Sequence, residues 1–70
     1  MKLSQHEKAI VKNAIIILVG RGRISTQNVI NNVCQSVQPL VPQCNEHHVS
    51  GCISTLAKKN SVQCLGGFCW

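Results

Sequence analysis

The sequence predicts an α+β domain: three helices closed by a C-terminal β-hairpin. Three observations carry that expectation. Apolar residues recur at helical spacing in three segments, each opened by a residue able to cap a helix. Pro39 and Pro42 separate the second segment from the third, and Gly66-Gly67 sits between two short runs containing apolar residues, the signature of a two-residue hairpin. The length fits, since 70 residues make one domain near the lower limit for a self-sufficient core. That size excludes a barrel, a doubly wound sheet or a multidomain enzyme. A hydrophobic fraction of 44% is too high for a disordered chain.

The first helix is expected over about 4–19. Ser4-Gln5-His6-Glu7 reads as a capping box, with Ser4 capping and Glu7 reaching back to its amide. Ile10, Val11, Ala14, Ile17 and Leu18 then define a buried stripe, while Ile15 and Ile16 are left as apolar surface for a partner or a second copy. Gly20 and Gly22 end the helix, and a short strand is expected near 23–24.

Ser25 caps the second helix, over about 26–38, with Ile24 and Val29 at the hydrophobic-staple positions. Val29, Ile30, Val33, Cys34 and Val37 form its stripe. The third helix, over about 46–59, follows the capping residue Asn45. It buries Val49, Cys52, Ile53 and Leu56, and it carries Lys58 and Lys59 in its last turn, where the helix dipole favours cations. The hairpin is expected at about 62–65 and 68–70. In its register Cys64 opposes Cys69 and Leu65 opposes Phe68, and Leu65, Phe68 and Trp70 share a face read as sealing the core.

Seven Lys/Arg stand against two acids, Glu7 and Glu46, for a formal charge of +5. This balance favours an anionic partner without naming one. The longest apolar run, 14–19, is six residues long, far below the ~20 of a membrane span. It is also shorter than the apolar region of a signal peptide, roughly 7–15 residues. The expectation is a soluble, unprocessed, intracellular protein with no membrane association.

The order helix, short strand, helix, helix, hairpin resembles the winged-helix family over almost the full length. The stretch Leu56-Ala57-Lys58-Lys59-Asn60, with Val62-Gln63, is similar to the end of the recognition helix in Z-alpha nucleic-acid-binding domains. Here Ser50 and Ser54 stand where that family uses Asn and Tyr, and Trp70 remains without the wing prolines. Residues 24–62 also resemble the C-terminal winged helix of cullins, with Val41-Pro42 in the link and Val49, Ile53 and Leu56 in the core; Phe68-Cys69-Trp70 falls where cullins end on spaced aromatics. Val19 occupies the position of their modifiable Lys, so that site is not implied.

The winged-helix resemblance implies that the third helix enters a groove of nucleic acid, duplex DNA first. Its outward residues would be His47, His48, Ser50 and Ser54, with Lys58 and Lys59 on phosphates and Arg21 and Arg23 nearby on the preceding strand; Lys8 and Lys12 add to the phosphate-binding set. No Arg, Lys, Asn or Gln falls between Glu46 and Ala57, so base-edge readout has no donors, and the expected contacts position without specifying. This is the reading of a small DNA-binding regulator of transcription, with its first helix as a candidate homodimer contact. Its rival is a protein-interaction module using Ile15 and Ile16 or the neutral face of the second helix. A secreted, disulfide-stapled peptide is a third reading, weakened by the odd count of five cysteines.

Cys64 and Cys69 form a non-hydrogen-bonded pair in the hairpin, where side chains lie closest, and are a candidate disulfide. Cys44, His47, His48 and Cys52 give a C-x2-H-H-x3-C spacing, but no C-x2-C occurs and Cys52 also lies on the core stripe, so no metal and no cofactor are expected. Cys44 near the two histidines is the only nucleophile–base pairing in view, and the chain is not expected to be an enzyme.

Overall fold

A computed structural model describes residues 3–70. Lys2, one of the seven Lys/Arg, lies outside the described residues. Helix α1 (Gln5–Val19) leads through strand β1 (Ile24–Ser25) into α2 (Thr26–Val37); α3 (Glu46–Lys58) follows a link, and the hairpin β2 (Cys64–Leu65) and β3 (Phe68–Cys69) comes last in chain order. The fold is α+β, as expected, with each predicted element within about two residues of its place.

The caps explain the boundaries. Ser4 Oγ accepts from the Glu7 amide at 3.2 Å and the Ser4 amide donates to Glu7 Oε1 at 2.9 Å, closing the capping box. Ser25 Oγ accepts from the Asn28 amide at 3.2 Å and starts α2. The end of α1 departs from expectation. Gly20 stays right-handed, and the positive φ falls on Gly22 at 136°.

A single core gathers Val11, Ile15 and Val19 of α1, Val29, Val33 and Val37 of α2, Val41 and Cys44 of the link, the predicted four of α3, and Val62 and Cys69 of the hairpin. Valine dominates it, and among the described residues no aromatic ring is buried. Two predictions are corrected here. Ile15, expected on an interaction face, is 0% exposed, while Ile17, expected in the core, is 63% exposed. The run 14–19 has no polar residue to mark the edge of its stripe, and α1 packs against both α2 and α3, which turns Ile15 inward. Ile16 remains exposed.

The strands make an antiparallel sheet ordered β1-β3-β2. Cys64 pairs with Cys69 and Leu65 with Phe68, as predicted, and β1 adds Ile24 opposite Cys69 and Ser25 opposite Phe68. Gln63 and Trp70 exchange backbone hydrogen bonds at 3.0 and 2.9 Å, extending the ladder by one residue. Gly66 and Gly67, at φ 61° and 82°, supply the two left-handed positions of the turn. The pairing was legible; the facing was not. Cys69 is buried, with Ile24 half-buried opposite it, and Leu65, Phe68 and Trp70 point outward at 74%, 39% and 43% exposure. They do not seal the core. Val62 and Cys69 already fill the space beneath the sheet, and the period of two sends the larger side chains to the other face.

Candidate nucleic-acid interface

Asn45 fixes the first turn of α3. Its Oδ1 accepts from the His48 amide at 3.0 Å, and its own amide donates to His48 Nδ1 at 3.3 Å. His48 therefore takes the part that Glu or Gln plays in the usual capping box, and its ring is half-buried and oriented rather than projecting freely. Sequence reading missed this role because His is not part of the usual box. At the other end Asn60 adopts φ 60°; its amide donates to Ala57 O at 3.1 Å and that of Ser61 to Leu56 O at 2.9 Å. This Schellman closure stops the helix just after Lys58 and leaves Lys58 and Lys59 exposed at its tip.

Between these ends α3 has two distinct sides. Val49, Cys52, Ile53 and Leu56 are buried, and His47, Ser50, Gly51, Ser54 and Lys58, which share one side of the helix, are all exposed. The middle of this outward stripe is small, so a surface laid along it can approach the helix closely. Thr55 beside it is turned inward on itself, its hydroxyl donating to Gly51 O at 3.1 Å.

A cleft of about 480 Å³ runs between α1 and α3, lined by Lys8 and by His47, His48, Gly51, Cys52 and Thr55. Burial pushes the Cys52 thiol up, partly opposed by the positive charges of Lys12 and Lys8. Those two lysines, four residues apart on α1, thus share their field with the α3 side of the molecule. Glu7 is held close to this region. The backbone bond from Ser4 is the main cause lowering its carboxyl below the usual range, with smaller contributions from the Ser4 hydroxyl, the Gln43 amide and His6.

Arg21 and Arg23 line other features. Arg21 borders a cleft of about 260 Å³ between α1 and α2, with Ile17, Leu18, Asn32 and Ser36 among its walls. Arg23 lies over the Phe68 ring, 4.4 Å from its centroid.

The cysteines divide by environment. Cys44 is buried in the link before α3 and burial pushes its thiol up, so it is a poor nucleophile despite its place in sequence beside His47 and His48. Among the described residues no cluster of three or more His, Cys, Asp or Glu could hold a metal ion. Cys64 and Cys69 are free thiols with sulfurs 2.7 Å apart, and loss of water around Cys64, with its bond to Cys69, pushes its thiol up to about 11.

Among the described residues no helix is long and apolar enough to cross a membrane. Comparison with protein families, curated proteins and solved structures finds no match to this chain.

Proposed function

We propose that this chain is a winged-helix-like regulator that binds nucleic acid, duplex DNA first, through the phosphate backbone along α3. The observation that carries the reading is the outward stripe of α3: small in its middle at Ser50, Gly51 and Ser54, with His47 and Lys8 at one end and Lys58 and Lys59 at the other. A helix with a small polar centre and cations at its ends suits the rim of a groove, where phosphates are met by charge and bases are met by little. Arg, Lys, Asn and Gln are missing from the middle of that stripe, so binding is expected to vary little with sequence.

The test is a titration of labelled duplex DNA at two salt concentrations with the protein and with Lys58→Glu/Lys59→Glu. Binding that weakens steeply with salt, equally for unrelated sequences, supports the reading. Losing two phosphate contacts lowers the log–log salt slope by about 1.8. Absence of binding at low salt, or a slope unchanged by the double substitution, overturns it.

A protein partner is the second reading, favoured by one observation. Ile16 and Ile17 stay exposed, and Ile17 borders the cleft between α1 and α2. Light scattering at high concentration tests self-association through that edge, and Ile17→Glu is the substitution expected to abolish it.

A further inference from the structure

We infer that the outer face of the sheet is a second binding site, one for unpaired nucleic-acid bases. It uses a different surface from the α3 stripe and does not rest on duplex binding. Both aromatic residues of the chain, Phe68 and Trp70, stand on β3 or at its end, and β3 is the central strand. Residues two apart on a strand project to the same face, roughly 6.5 Å apart, so the Trp70 ring offers a stacking face beside the Arg23–Phe68 pair. Leu65, opposite Phe68 on β2, extends the platform. Extrapolating the β1–β3 pairing one residue brings Arg23 opposite Trp70, and its guanidinium lies over the Phe68 ring. A shallow cleft of about 430 Å³ opens between Arg23 and Trp70.

Exposed aromatics are expensive to leave in water, and this valine core was filled without them. Charge selects the occupant. Arg23 is held on the platform by the ring beneath it, and both acids of the chain, Glu7 and Glu46, lie on α1 and α3 instead. Aromatic faces that stack bases beside a cation that meets phosphate form the working surface of single-strand binders. A second copy docking symmetrically would set Arg23 against Arg23.

Trp70 is the only tryptophan and the chain has no tyrosine, so its emission reports this face alone. The full chain is titrated with a short oligothymidylate, with inorganic polyphosphate, and with phosphatidylserine-containing vesicles. The expected result is quenching by the oligonucleotide only. Trp70→Ala and Phe68→Ala, followed by anisotropy of labelled oligonucleotide, each weaken binding on the order of tenfold. Trp70→Phe restores most of the loss, which separates stacking from a folding defect. Lys58→Glu/Lys59→Glu leaves the quenching in place, and absence of duplex binding by the unsubstituted chain with quenching retained fails the α3 reading alone. Four results overturn the platform: no quenching by the oligonucleotide, equal quenching by polyphosphate, tighter binding to vesicles, or unchanged affinity in Trp70→Ala.

Discussion

The outward side of α3 and the outer face of the sheet are both exposed and both carry positive charge, yet they are built from opposite materials. On α3 the exposed stripe is small and polar between cations; on the sheet Phe68, Trp70 and Leu65 stand in the open beside one arginine. Net charge alone cannot tell these surfaces apart. The side chains between the charges do. Small residues let a charged backbone come close and give bases nothing to grip, whereas rings offer a face to any base that is not already stacked in a duplex. A chain of 70 residues can carry both because its core is filled by valine, which frees the aromatics for the surface.

The largest way to break the comparison is to remove what the two surfaces share. Ile15 is fully buried on α1, the helix that packs against both α2 and α3. Ile15→Ala is expected to cost about 2–5 kcal/mol in chemical denaturation, a large part of the stability of a domain this small. Both binding activities would then fade together. Ile17→Ala, on the same helix but exposed, is expected to stay within about 0.5 kcal/mol. A larger loss at Ile17 than at Ile15 would return the buried stripe to the face first read from the sequence.

That contrast also shows what could be read in advance. On α3 polar and apolar residues alternate cleanly, and the four predicted core residues are the four buried ones. On α1 the run 14–19 is apolar all round, and only its packing between two helices decides that Ile15 turns in and Ile17 out. The hairpin register followed from Gly66-Gly67 and is observed pair for pair. Its facing did not follow, because which of two alternating faces is buried depends on whether the helices leave room beneath for rings. Of the candidate site, the ends of α3 and the outward serines were legible from spacing. The capping role of His48 and the stacking of Arg23 on Phe68 were not, since each depends on side-chain placement.

A smaller effect separates the surfaces. Gly67 sits at φ 82° with open space where a Cβ would go, so an added methyl meets no neighbour and the cost is backbone strain alone. Gly67→Ala is expected to lower stability by roughly 1–2 kcal/mol, the penalty of a left-handed L-residue. Oligothymidylate affinity should fall with it, because the turn fixes β3 and its rings, while duplex affinity holds. Gly66→Asn, a residue tolerated at the first left-handed position of such turns, should leave both unchanged. Equal loss of the two affinities in Gly67→Ala would mean that the surfaces are one site.

The smallest effect acts on the other side and is set by pH. Glu7 closes the cap of α1 through Ser4 and accepts from Gln43 in the link that leads to α3. Its carboxyl is lowered in the folded protein, first by the Ser4 backbone bond. A carboxylate lowered on folding contributes stability above the ordinary value of about 4.3, and that contribution is lost as pH falls through the lower folded value. Stability should therefore decline on the acid side of that range, and Glu7→Gln should flatten the decline because its amide does not titrate. Because the bonds tie the start of α1 to the link before α3, acid should loosen duplex contacts before it disturbs the sheet. Thermal melts across the acid range, read once by helix content and once by Trp70 emission, check the order: a helix signal that softens first in the protein and not in Glu7→Gln supports it, and coincident changes in both reject it.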